Sequence, residues 1–402
     1  MIRVAEISEC FPTSYRPQSG MFVLDHARAL SEFCRVKVIV PLRTVPPREA
    51  VSSGIEGLAK WKRSLELNVP FSTGNLDIEF MRYASLPRPS FEKIDSAFVS
   101  SVFGRKLKKM FNEFEPDVVY CHWLRPWAEV SGKIANGLGV PFVIDQHEDL
   151  PTLKKLFPDS YANMLKPLLS SHKVIVHSSV NEHDLHQEFG GRVKTELVYL
   201  GQSLEISQAK KKFSQSSFRI AGISHLHEER KNIDVLIKAA KILEGRIDFS
   251  LSIIGDGPLR QGYESLSKDL NLEKKIRFCG ALTPAGISGE LDESDLFVLP
   301  SYPEAFGLVL TEALARGVPA VSIRGNGGAE ELRSLGYPVI LAEPLDENDL
   351  AEKIISVLND PELLLKMSDA GKEIVGRHFT WKRNAEHTHN VLSELKVSGR
   401  AS

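Results

Sequence analysis

Two glutamates stand eight positions apart around a glycine in the stretch SYPEAFGLVLTEA, residues 301–313. An apolar run, DLFVLP, leads into this stretch and predicts a buried strand. In open parallel sheets, ligands bind at the carboxyl ends of the strands, where Glu304 would then lie. A pair of carboxylates at such an edge could move protons, or it could hold the hydroxyl groups of a bound ligand.

A helix is predicted to begin near Gly307 and to end at Ala315, because a glycine and a proline follow within four residues. Gly307 itself permits unusual dihedral angles and a close approach of the backbone to a ligand. The first N–H groups of this helix, near Leu308 and Val309, have no acceptor within the helix. They therefore form a site for an anion such as a diphosphate.

The two carboxylates can be given different tasks on this framework. Glu312 lies more than one turn into the predicted helix, where it could accept hydrogen bonds from a vicinal diol such as a ribose. Glu304, on the loop before the helix, could reach the hydroxyl groups of a sugar. The pattern alone equally allows an exposed Glu312 on a solvent face and a simple loop charge at Glu304.

Short apolar runs alternate with amphipathic stretches along the chain, which predicts parallel strands covered by helices on both faces. The first half contains the runs IRVAEI, VKVIVPL, DVVYCHW, PFVIDQH, KVIVHS and TELVYL. A polar stretch at 201–217, rich in Ser, Gln and Lys, indicates a linker. The alternation then restarts with FRIAGIS, FSLSIIG, IRFCG, DLFVLPS, PAVSI and PVILA. We therefore expect two doubly wound α/β domains, 1–204 and 205–379, with a last helix at 380–402.

The composition is that of an ordinary globular protein of 402 residues, 42% of them hydrophobic and 25% charged. The net charge of −2 gives no global basic field, so no nucleic-acid partner is expected. The first residues lack the features of a signal peptide, and no apolar run is long enough to span a bilayer. The four cysteines form no CxxC pair, which fits reduced thiols and a cytoplasmic protein.

Several of these stretches together resemble one protein family. PSYPEAFGLVLTEALARGVPAV resembles the EX7E signature of the retaining group 1 glycosyltransferases of family four, which have the GT-B fold. The stretches IIGDGPLR and GNGGAEEL and the closing FTW before a helix are also typical of the family, and the resemblance covers nearly the whole chain. It implies two Rossmann-like domains that face each other across a cleft, with the last helix crossing back to the N-terminal domain.

The activity implied by the resemblance is transfer of a sugar from a nucleotide-diphosphate sugar to a hydroxyl group, with retention of the anomeric configuration. UDP-sugars are the commonest donors in the family, and GDP-mannose is second. The products would be polysaccharides, glycolipids or other glycoconjugates. Two other functions stay open, which are a catalytically impaired scaffold that binds sugar nucleotides and a sugar-nucleotide epimerase of the same fold.

The donor site implied by the resemblance lies in the second domain. The two glutamates of the signature bind the donor, and they match Glu304, a catalytic candidate, and Glu312. The other donor-binding candidates of this stretch are Phe306, Gly307, Leu308 and Val309.

A basic pair normally neutralises the donor diphosphate in this family, and Lys231 matches its lysine. The place of the arginine is taken by His225, and a histidine is mostly neutral at pH 7 unless an anion raises its pKa. Alternatively, Arg230 supplies the second charge of the pair. His225 and His227 also form an HxH pair, but no third metal ligand is evident nearby.

The first domain is expected to contact the reacting sugar and the acceptor. Gly20 matches the glycine loop that approaches the donor, with a simple strand-to-helix turn as the alternative. The stretch 44–76 fits a loop that lines an acceptor groove. His147, in PFVIDQHEDLP, matches the histidine that contacts the donor sugar and is the second catalytic candidate. His122 and Asp149 are candidates for acceptor contact.

In the mechanism that the resemblance implies, the departing phosphate takes the proton of the acceptor, and no metal ion or other cofactor is required. No DxD motif of metal-dependent glycosyltransferases is evident. One basic helix could lie on an anionic bilayer as a peripheral contact, although a core-facing helix is favoured. Its apolar stripe consists of Phe103, Leu107, Met110, Phe111 and Phe114.

Overall fold

The computed structural model describes residues 1–85, 92–214 and 216–399. Its strands are β1 (Arg3–Ile7), β2 (Arg35–Arg43), β3 (Phe71–Thr73), β4 (Leu76–Tyr83), β5 (Val118–His122), β6 (Phe142–Asp145), β7 (Lys173–Val176), β8 (Thr195–Leu197), β9 (Ser217–Ile223), β10 (Asp248–Ile254), β11 (Ile276–Gly280), β12 (Leu296–Leu299), β13 (Ala320–Ile323) and β14 (Ile340–Ala342).

The helices of the first half are α1 (Met21–Leu30), α2 (Arg48–Ser52), α3 (Gly54–Leu67), α4 (Glu92–Phe114), α5 (Trp127–Leu138), α6 (Leu150–Leu156), α7 (Tyr161–Met164), α8 (Lys166–Ser170) and α9 (Ser179–Phe189). Those of the second half are α10 (Ile233–Leu243), α11 (Arg260–Asp269), α12 (Pro284–Glu293), α13 (Leu308–Ala315), α14 (Gly327–Ser334), α15 (Glu347–Leu358), α16 (Pro361–His378) and α17 (Trp381–Gly399).

The chain divides into two compact units. Unit 1 comprises Met1–Val176, Glu182–Gly201 and Trp381–Ser402. Unit 2 comprises His177–Asn181 and Gln202–Thr380.

Unit 1 is built on a sheet of eight strands in the order β3-β4-β2-β1-β5-β6-β7-β8. All neighbouring strands are parallel except β3, which runs antiparallel to β4. In β5 alternate residues enter different cores: Val118 and Tyr120 lie in one apolar cluster, and Val119 and Cys121 in the other. Burial on both faces explains why these strands are continuous apolar runs rather than alternating ones.

Unit 2 is built on a fully parallel sheet of six strands in the order β11-β10-β9-β12-β13-β14. In each unit the chain first builds strands on one side of its opening strand and then crosses to the other side. The crossing points are β1/β5 in unit 1 and β9/β12 in unit 2. At such points the loops after the two strands diverge, which makes a crevice for ligands at the carboxyl edge. The prediction of two doubly wound domains is therefore confirmed.

The last helix, α17, belongs to unit 1, where Ala385 and Leu392 enter one of its two cores. His26 on α1 and Asn384 on α17 are also joined, with His26 Nδ1 2.7 Å from Asn384 Oδ1. The end of the predicted helix, residues 400–402, lies outside the described residues. Within the described part of the chain, the longest helices are too polar to cross a bilayer.

The stretch 44–76 was expected to be a loop, and this prediction is wrong. It contains α2, α3 and β3, and β4 begins at its end and pairs with β2. The sequence pattern concealed α3 because most of this helix is exposed and, of its residues, only Ser64 is buried. The strand β4 alternates polar and apolar residues, LDIEFMRY, unlike the continuous runs used to predict the others.

Helix α4 turns its apolar stripe toward the core of unit 1, as favoured from the sequence. Four residues of the stripe are buried in one apolar cluster, and Phe103 packs against it; the four are Leu107, Met110, Phe111 and Phe114.

Candidate active site

Glu304 lies on the loop after β12, and its side chain is 10% exposed. Lys231 Nζ donates a hydrogen bond to Glu304 Oε2 at 2.5 Å, and Arg230 Nη1 lies 3.7 Å from the same oxygen. Burial would raise the pKa of Glu304, but the charges of Lys231 and Arg230 outweigh it and hold this pKa below its usual value. The carboxyl edge of the unit 2 sheet thus holds an ionised carboxylate against two cations.

Backbone contacts hold both cations in place. Lys231 ends a short 3₁₀ turn after β9, and Asn232 follows in the left-handed region with φ 50°. The Asn232 amide donates a hydrogen bond to Pro300 O at 3.0 Å, which ties the start of α10 to the end of β12. Arg230 Nη1 donates to Pro303 O at 3.0 Å. Because β9 and β12 are neighbours in the sheet of unit 2, Lys231 and Arg230, which follow β9, lie beside the loop that follows β12.

Helix α13 begins and ends as predicted, with Gly307 as its N-cap at φ 78°. The positive φ favours glycine at this position, and a Cβ atom there would also lie 2.9 Å from Leu299 Cδ2. No side chain among the described residues caps this helix. The N–H groups of its first turn, including those of Leu308 and Val309, are therefore potential donors to an anionic ligand.

Glu312 lies half-buried in the second turn of α13, rather than on an exposed face. Burial raises its pKa to about 7. No described residue donates a hydrogen bond to its carboxylate or pairs with it. A buried carboxylate in this situation gains stability from any hydroxyl donor that a ligand brings.

The ring of Phe306 is buried in unit 2 and contacts the ring of Phe379 at 5.7 Å between centroids. The side chain of Phe306, a donor-binding candidate, is therefore part of the apolar core of unit 2. Its carbonyl oxygen lies so close to the first turn of α14 that a Cβ atom on Gly328 would come within 1.9 Å of it.

Sequence reasoning left out one support of this loop, Asn326. Asn326 is fully buried, its amide donates to Ser301 O at 3.4 Å, and its side chain caps α14. The stretch GNGGAEEL offered a signal, because an Asn-Gly-Gly run suits a cap in close contact with another backbone.

His225 lies on the loop after β9, beside His227 at 5.8 Å between ring centroids. Burial, and then the positive charge of Lys231, lower the pKa of His225. His225 is therefore neutral at pH 7, and Arg230 is the second cation beside Glu304.

Gly20 occupies the N-cap of α1 with φ 67°, and a Cβ atom there would lie 2.3 Å from Cys10 O. The strand-to-helix turn thus accounts for this glycine by itself.

His122 and His147 meet at the carboxyl ends of β5 and β6. His122 Nδ1 lies 3.0 Å from His147 Nε2 and 3.3 Å from Asp145 Oδ2. The Tyr120 hydroxyl donates to the same Asp145 oxygen at 2.7 Å. The His122 side chain is only 1% exposed, so it supports His147 and offers no surface for an acceptor.

Sequence reasoning missed Glu6, which lies fully buried on β1. Its Oε2 is 3.7 Å from His122 Nε2, and its Oε1 is 3.5 Å from His26 Nε2. Burial would raise the pKa of Glu6, but the two imidazoles outweigh it and lower this pKa. Burial would also lower the pKa of His122, yet Asp145 and Glu6 raise it to about 9. A glutamate inside the apolar strand RVAEI was the available signal.

Asp149 is the N-cap of α6, and its Oδ1 accepts a hydrogen bond from Thr152 N at 2.7 Å. The side chain is 5% exposed. The cap explains this residue without an acceptor, and it is a local role that sequence reasoning did not consider.

Among the described residues, two groups in unit 1 bring three potential metal ligands within 4.8 Å of one another: Glu6, His26 and His122, and His122, Asp145 and His147. In the second group, hydrogen bonds account for the short distances. His225 and His227 belong to no such group in the described part of the chain.

Comparison with known proteins links both units to one family. A family model described as glycosyltransferase family 4 matches residues 19–205, and one described as glycosyl transferases group 1 matches residues 205–374. An uncharacterised glycosyltransferase of Methanocaldococcus jannaschii is 26% identical over 363 residues, which cover 90% of this chain and 99% of that protein.

Solved structures show the same fold. Sucrose-phosphate synthase of Thermosynechococcus elongatus matches with a TM-score of 0.75 and 18% identity, over 99% of this chain and 100% of that one. HepE of Anabaena, solved in complex with UDP and glucose, matches with a TM-score of 0.72 and 18% identity, over 98% of this chain and 100% of that one.

Proposed function

Because the chain belongs to the glycosyltransferases of the GT-B fold, we propose that it moves a sugar from a nucleotide-diphosphate sugar to a hydroxyl acceptor with retention of the anomeric configuration. The observation that carries the proposal is the contact of buried Glu304 with Lys231 and Arg230 beside the start of α13. The Glu304 carboxylate can accept hydrogen bonds from sugar hydroxyls, and the adjacent Lys231 and Arg230 can bind a diphosphate.

In this proposal the nucleotide-diphosphate sugar contacts three neighbouring parts of unit 2. Lys231, Arg230 and the first N–H groups of α13 take the diphosphate. Glu304 holds the hydroxyl groups of the sugar and stabilises the positive charge that develops on its ring. Glu312 accepts hydrogen bonds from the ribose.

The chemical step uses the leaving group as the base. The acceptor oxygen forms a bond to the anomeric carbon while the bond from that carbon to the diphosphate oxygen breaks, and the departing oxygen takes the acceptor's proton. The cations stabilise the charge that grows on the diphosphate, so no divalent ion is needed for this task. In unit 1, His147 is assigned to the donor sugar, Gly20 to backbone contact with the donor, and Asp149 to the acceptor; these three rest on the family resemblance.

The donor is proposed to be a UDP-sugar, with GDP-mannose as second choice. HepE, a protein of the same fold, binds UDP, which supports this order. The acceptor is a carbohydrate or lipid-linked hydroxyl of a growing polysaccharide, glycolipid or glycoconjugate. Four free cysteines support a reducing, cytoplasmic setting.

The arrangement of Arg230 weakens the case for an impaired scaffold. That alternative depended on a histidine in place of the family's arginine, and Arg230 provides a cation at the required carboxylate.

A donor panel tests the proposal. UDP-, GDP- and ADP-sugars are incubated with the protein and a cell-extract acceptor pool, with and without EDTA, and nucleotide release and glycosylated products are measured. We expect transfer from one UDP-sugar, equal rates with EDTA, and an unchanged anomeric configuration in the product. Tight nucleotide binding without transfer from any donor would point to the scaffold, and conversion of the sugar to its epimer would point to the epimerase.

A further inference from the structure

We propose that the buried carboxylate of Glu6, acting through His122, holds His147 as a neutral hydrogen-bond donor and thereby prevents it from acting as a base. The inference rests on the proposed function, because it defines how His147 takes part in sugar transfer. Glu6 and His122 are positioning residues in this proposal, since both are buried and act through their neighbours.

A continuous line of contacts joins the three side chains. Glu6 Oε2 lies 3.7 Å from His122 Nε2, and His122 Nδ1 lies 3.0 Å from His147 Nε2. The two imidazole rings are nearly coplanar, at 12°, with centroids 5.3 Å apart. At that separation, with a nitrogen of each ring at hydrogen-bond distance, the two nitrogens lie between the ring centres and face each other edge to edge. This is the geometry of an N–H···N hydrogen bond.

The surroundings of His122 favour its doubly protonated form. The charged and titratable groups that face it are Glu6 from β1, His26 from α1, Tyr120 beside it on β5, and Asp145 and His147 from the end of β6. Two of them are carboxylates, one near each ring nitrogen. Burial alone would lower the pKa of His122, but the carboxylates raise it to about 9.

The buried Glu6 carboxylate is stabilised when His122 carries a positive charge. Both carboxylate oxygens are fully buried, and no described residue donates a hydrogen bond to either. A buried anion without hydrogen bonds is costly unless a cation lies close by.

A second contact keeps the Glu6 carboxylate aimed at His122. Asn384 donates its amide to Tyr199 O at 2.9 Å, so its Oδ1 must be the acceptor for His26 Nδ1 at 2.7 Å. The His26 ring is thus fixed with Nε2 toward Glu6 Oε1. One oxygen of the carboxylate faces this ring, and the other faces His122.

The protonation of His122 determines that of His147. Asp145 Oδ2 lies near both facing nitrogens, 3.3 Å from His122 Nδ1 and 3.5 Å from His147 Nε2. The edge-to-edge arrangement aims the Nδ1–H of a doubly protonated His122 at the nearer His147 Nε2, which is therefore the unprotonated acceptor in this proposal. The single proton of a neutral His147 then resides on Nδ1. A second proton would place two N–H groups head to head at 3.0 Å, beside an imidazolium.

The chemical consequence is that His147 has no lone pair to offer the acceptor hydroxyl. Its Nε2 lone pair is used by His122, and its Nδ1 carries the proton. His147 can therefore donate a hydrogen bond to an oxygen of the sugar but cannot remove a proton. The proton of the acceptor goes to the diphosphate oxygen as the bond from that oxygen to the anomeric carbon breaks.

Nitrogen NMR of the ¹⁵N-histidine-labelled full chain tests the inference in the wild-type protein, independently of activity. The His122 and His147 signals are assigned by their loss in the His122→Asn and His147→Asn variants. At pH 7.5 we expect two protonated nitrogens on His122, an unprotonated Nε2 on His147, and a protonated Nδ1 on His147. A singly protonated His122, or a proton on His147 Nε2, would overturn the proposal.

Glu6→Gln tests the link to catalysis. Among the described residues, this substitution leaves Asp145 as the one carboxylate beside His122, and it should lower the pKa of His122. At the pH where His122 then loses its second proton, we expect kcat to fall about tenfold or more while the donor KM changes less than about twofold. Activity should recover at pH 6, where His122 regains the proton, whereas a merely structural defect would not recover.

The matched control is Glu196→Gln. Glu196 is another carboxylate of unit 1 that pairs with a histidine, with His387 Nε2 at 3.2 Å, but this pair is partly exposed. The control should shift the His387 signals and leave His147, kcat and the pH profile unchanged. An unchanged kcat and pH profile in Glu6→Gln would overturn the proposal, as would one equivalent of a transition metal bound by His122 and His147 in the purified protein. If the wild type transfers no sugar from any donor, the proposed function fails, while the NMR result still decides the protonation of His147.

Discussion

Each unit has a buried carboxylate with a lowered pKa close to the carboxyl edge of its sheet, Glu6 in unit 1 and Glu304 in unit 2, but the two are neutralised differently. Glu304 in unit 2 faces a lysine and an arginine, whereas Glu6 in unit 1 faces two histidines. Lysine and arginine side chains stay charged across the physiological pH range, and histidine does not. Within the same fold, one sheet edge therefore carries charges that stay fixed with pH, and the other carries charges that titrate.

The difference also separates the tasks of the two carboxylates. Glu304 lies on a loop and is slightly exposed, so a ligand can replace its partners. Glu6 lies within a strand at 0% exposure and can act only through its neighbours. A buried ion pair contributes little net stability, so each is more readily explained by a task in binding or catalysis.

The largest effect is expected when Glu304 loses one of its two permanently charged partners. In Lys231→Met only Arg230 remains to offset the burial of Glu304, so the pKa of Glu304 rises and the residual transfer rate should decrease as the pH is lowered toward that pKa. We expect kcat/KM to fall about a thousandfold, because a cation for the departing diphosphate is lost as well. Rates of nucleotide release from pH 5.5 to 9 measure both effects.

The control is Lys238→Met, which removes a surface lysine of the same unit that pairs with Asp234 at 2.8 Å. It should leave the rate and its pH dependence unchanged. If the rate of nucleotide release by Lys231→Met did not depend on pH, the proposed difference between Glu304 and Glu6 would be refuted.

The next effect concerns the titratable site. Folding raises the pKa of His122 from its ordinary 6.5 to about 9, so its stabilising contribution is complete below pH 6.5 and is lost as the pH rises through about 9. Urea unfolding between pH 6.5 and 9.5 should therefore show a falling midpoint in the wild type. The decline should be smaller in Glu6→Gln, and equal declines in both proteins would contradict the account.

A smaller effect is expected at Glu312, where burial without a partner raises the pKa to about 7. Hydroxyl donors of a ribose stabilise the ionised carboxylate, so nucleotide affinity should increase as the pH rises from 6 to 8. Glu312→Gln should weaken binding by roughly tenfold and remove this dependence. Calorimetric titration with the nucleotide diphosphate measures both, and a pH-dependent affinity that persists in the variant would refute the assignment.

The smallest effect distinguishes a cap from an acceptor ligand at Asp149. Asp149→Ala loses the cap of α6 and should cost about 1 kcal/mol of unfolding free energy. Asp149→Asn keeps the cap and should preserve stability, measured by urea unfolding. The KM of Asp149→Asn for the acceptor then tests whether Asp149 contacts the acceptor, because an amide is a poorer partner than a carboxylate for acceptor hydroxyls. A raised KM supports the contact. An unchanged KM shows that Asp149 acts as a helix cap alone.

The sequence predicted most of the parallel strands because both faces of each sheet are buried and the strands are continuous apolar runs. It also predicted α13 and the stretch that places Glu304 and Glu312. It could not predict α3 or β4, since an exposed helix and an alternating strand lack that signal. The network around His147 was also beyond reach, because Glu6, His26 and Asn384 are distant in sequence and only sheet order and the packing of α17 bring them together.

In the proposed mechanism Glu304 binds the sugar, and Lys231 and Arg230 bind the diphosphate. The direct measurement compares wild type, Glu304→Ala and Glu343→Ala, a control that removes an exposed carboxylate paired with Arg324 at 2.9 Å. Transfer from the accepted donor and affinity for the nucleotide diphosphate are measured on the same samples. We expect Glu304→Ala to abolish transfer and to bind the nucleotide as tightly as the wild type or more tightly, because Lys231 and Arg230 lose their carboxylate partner and remain free to bind the diphosphate. Loss of nucleotide affinity with transfer preserved at saturating donor would contradict the proposed mechanism.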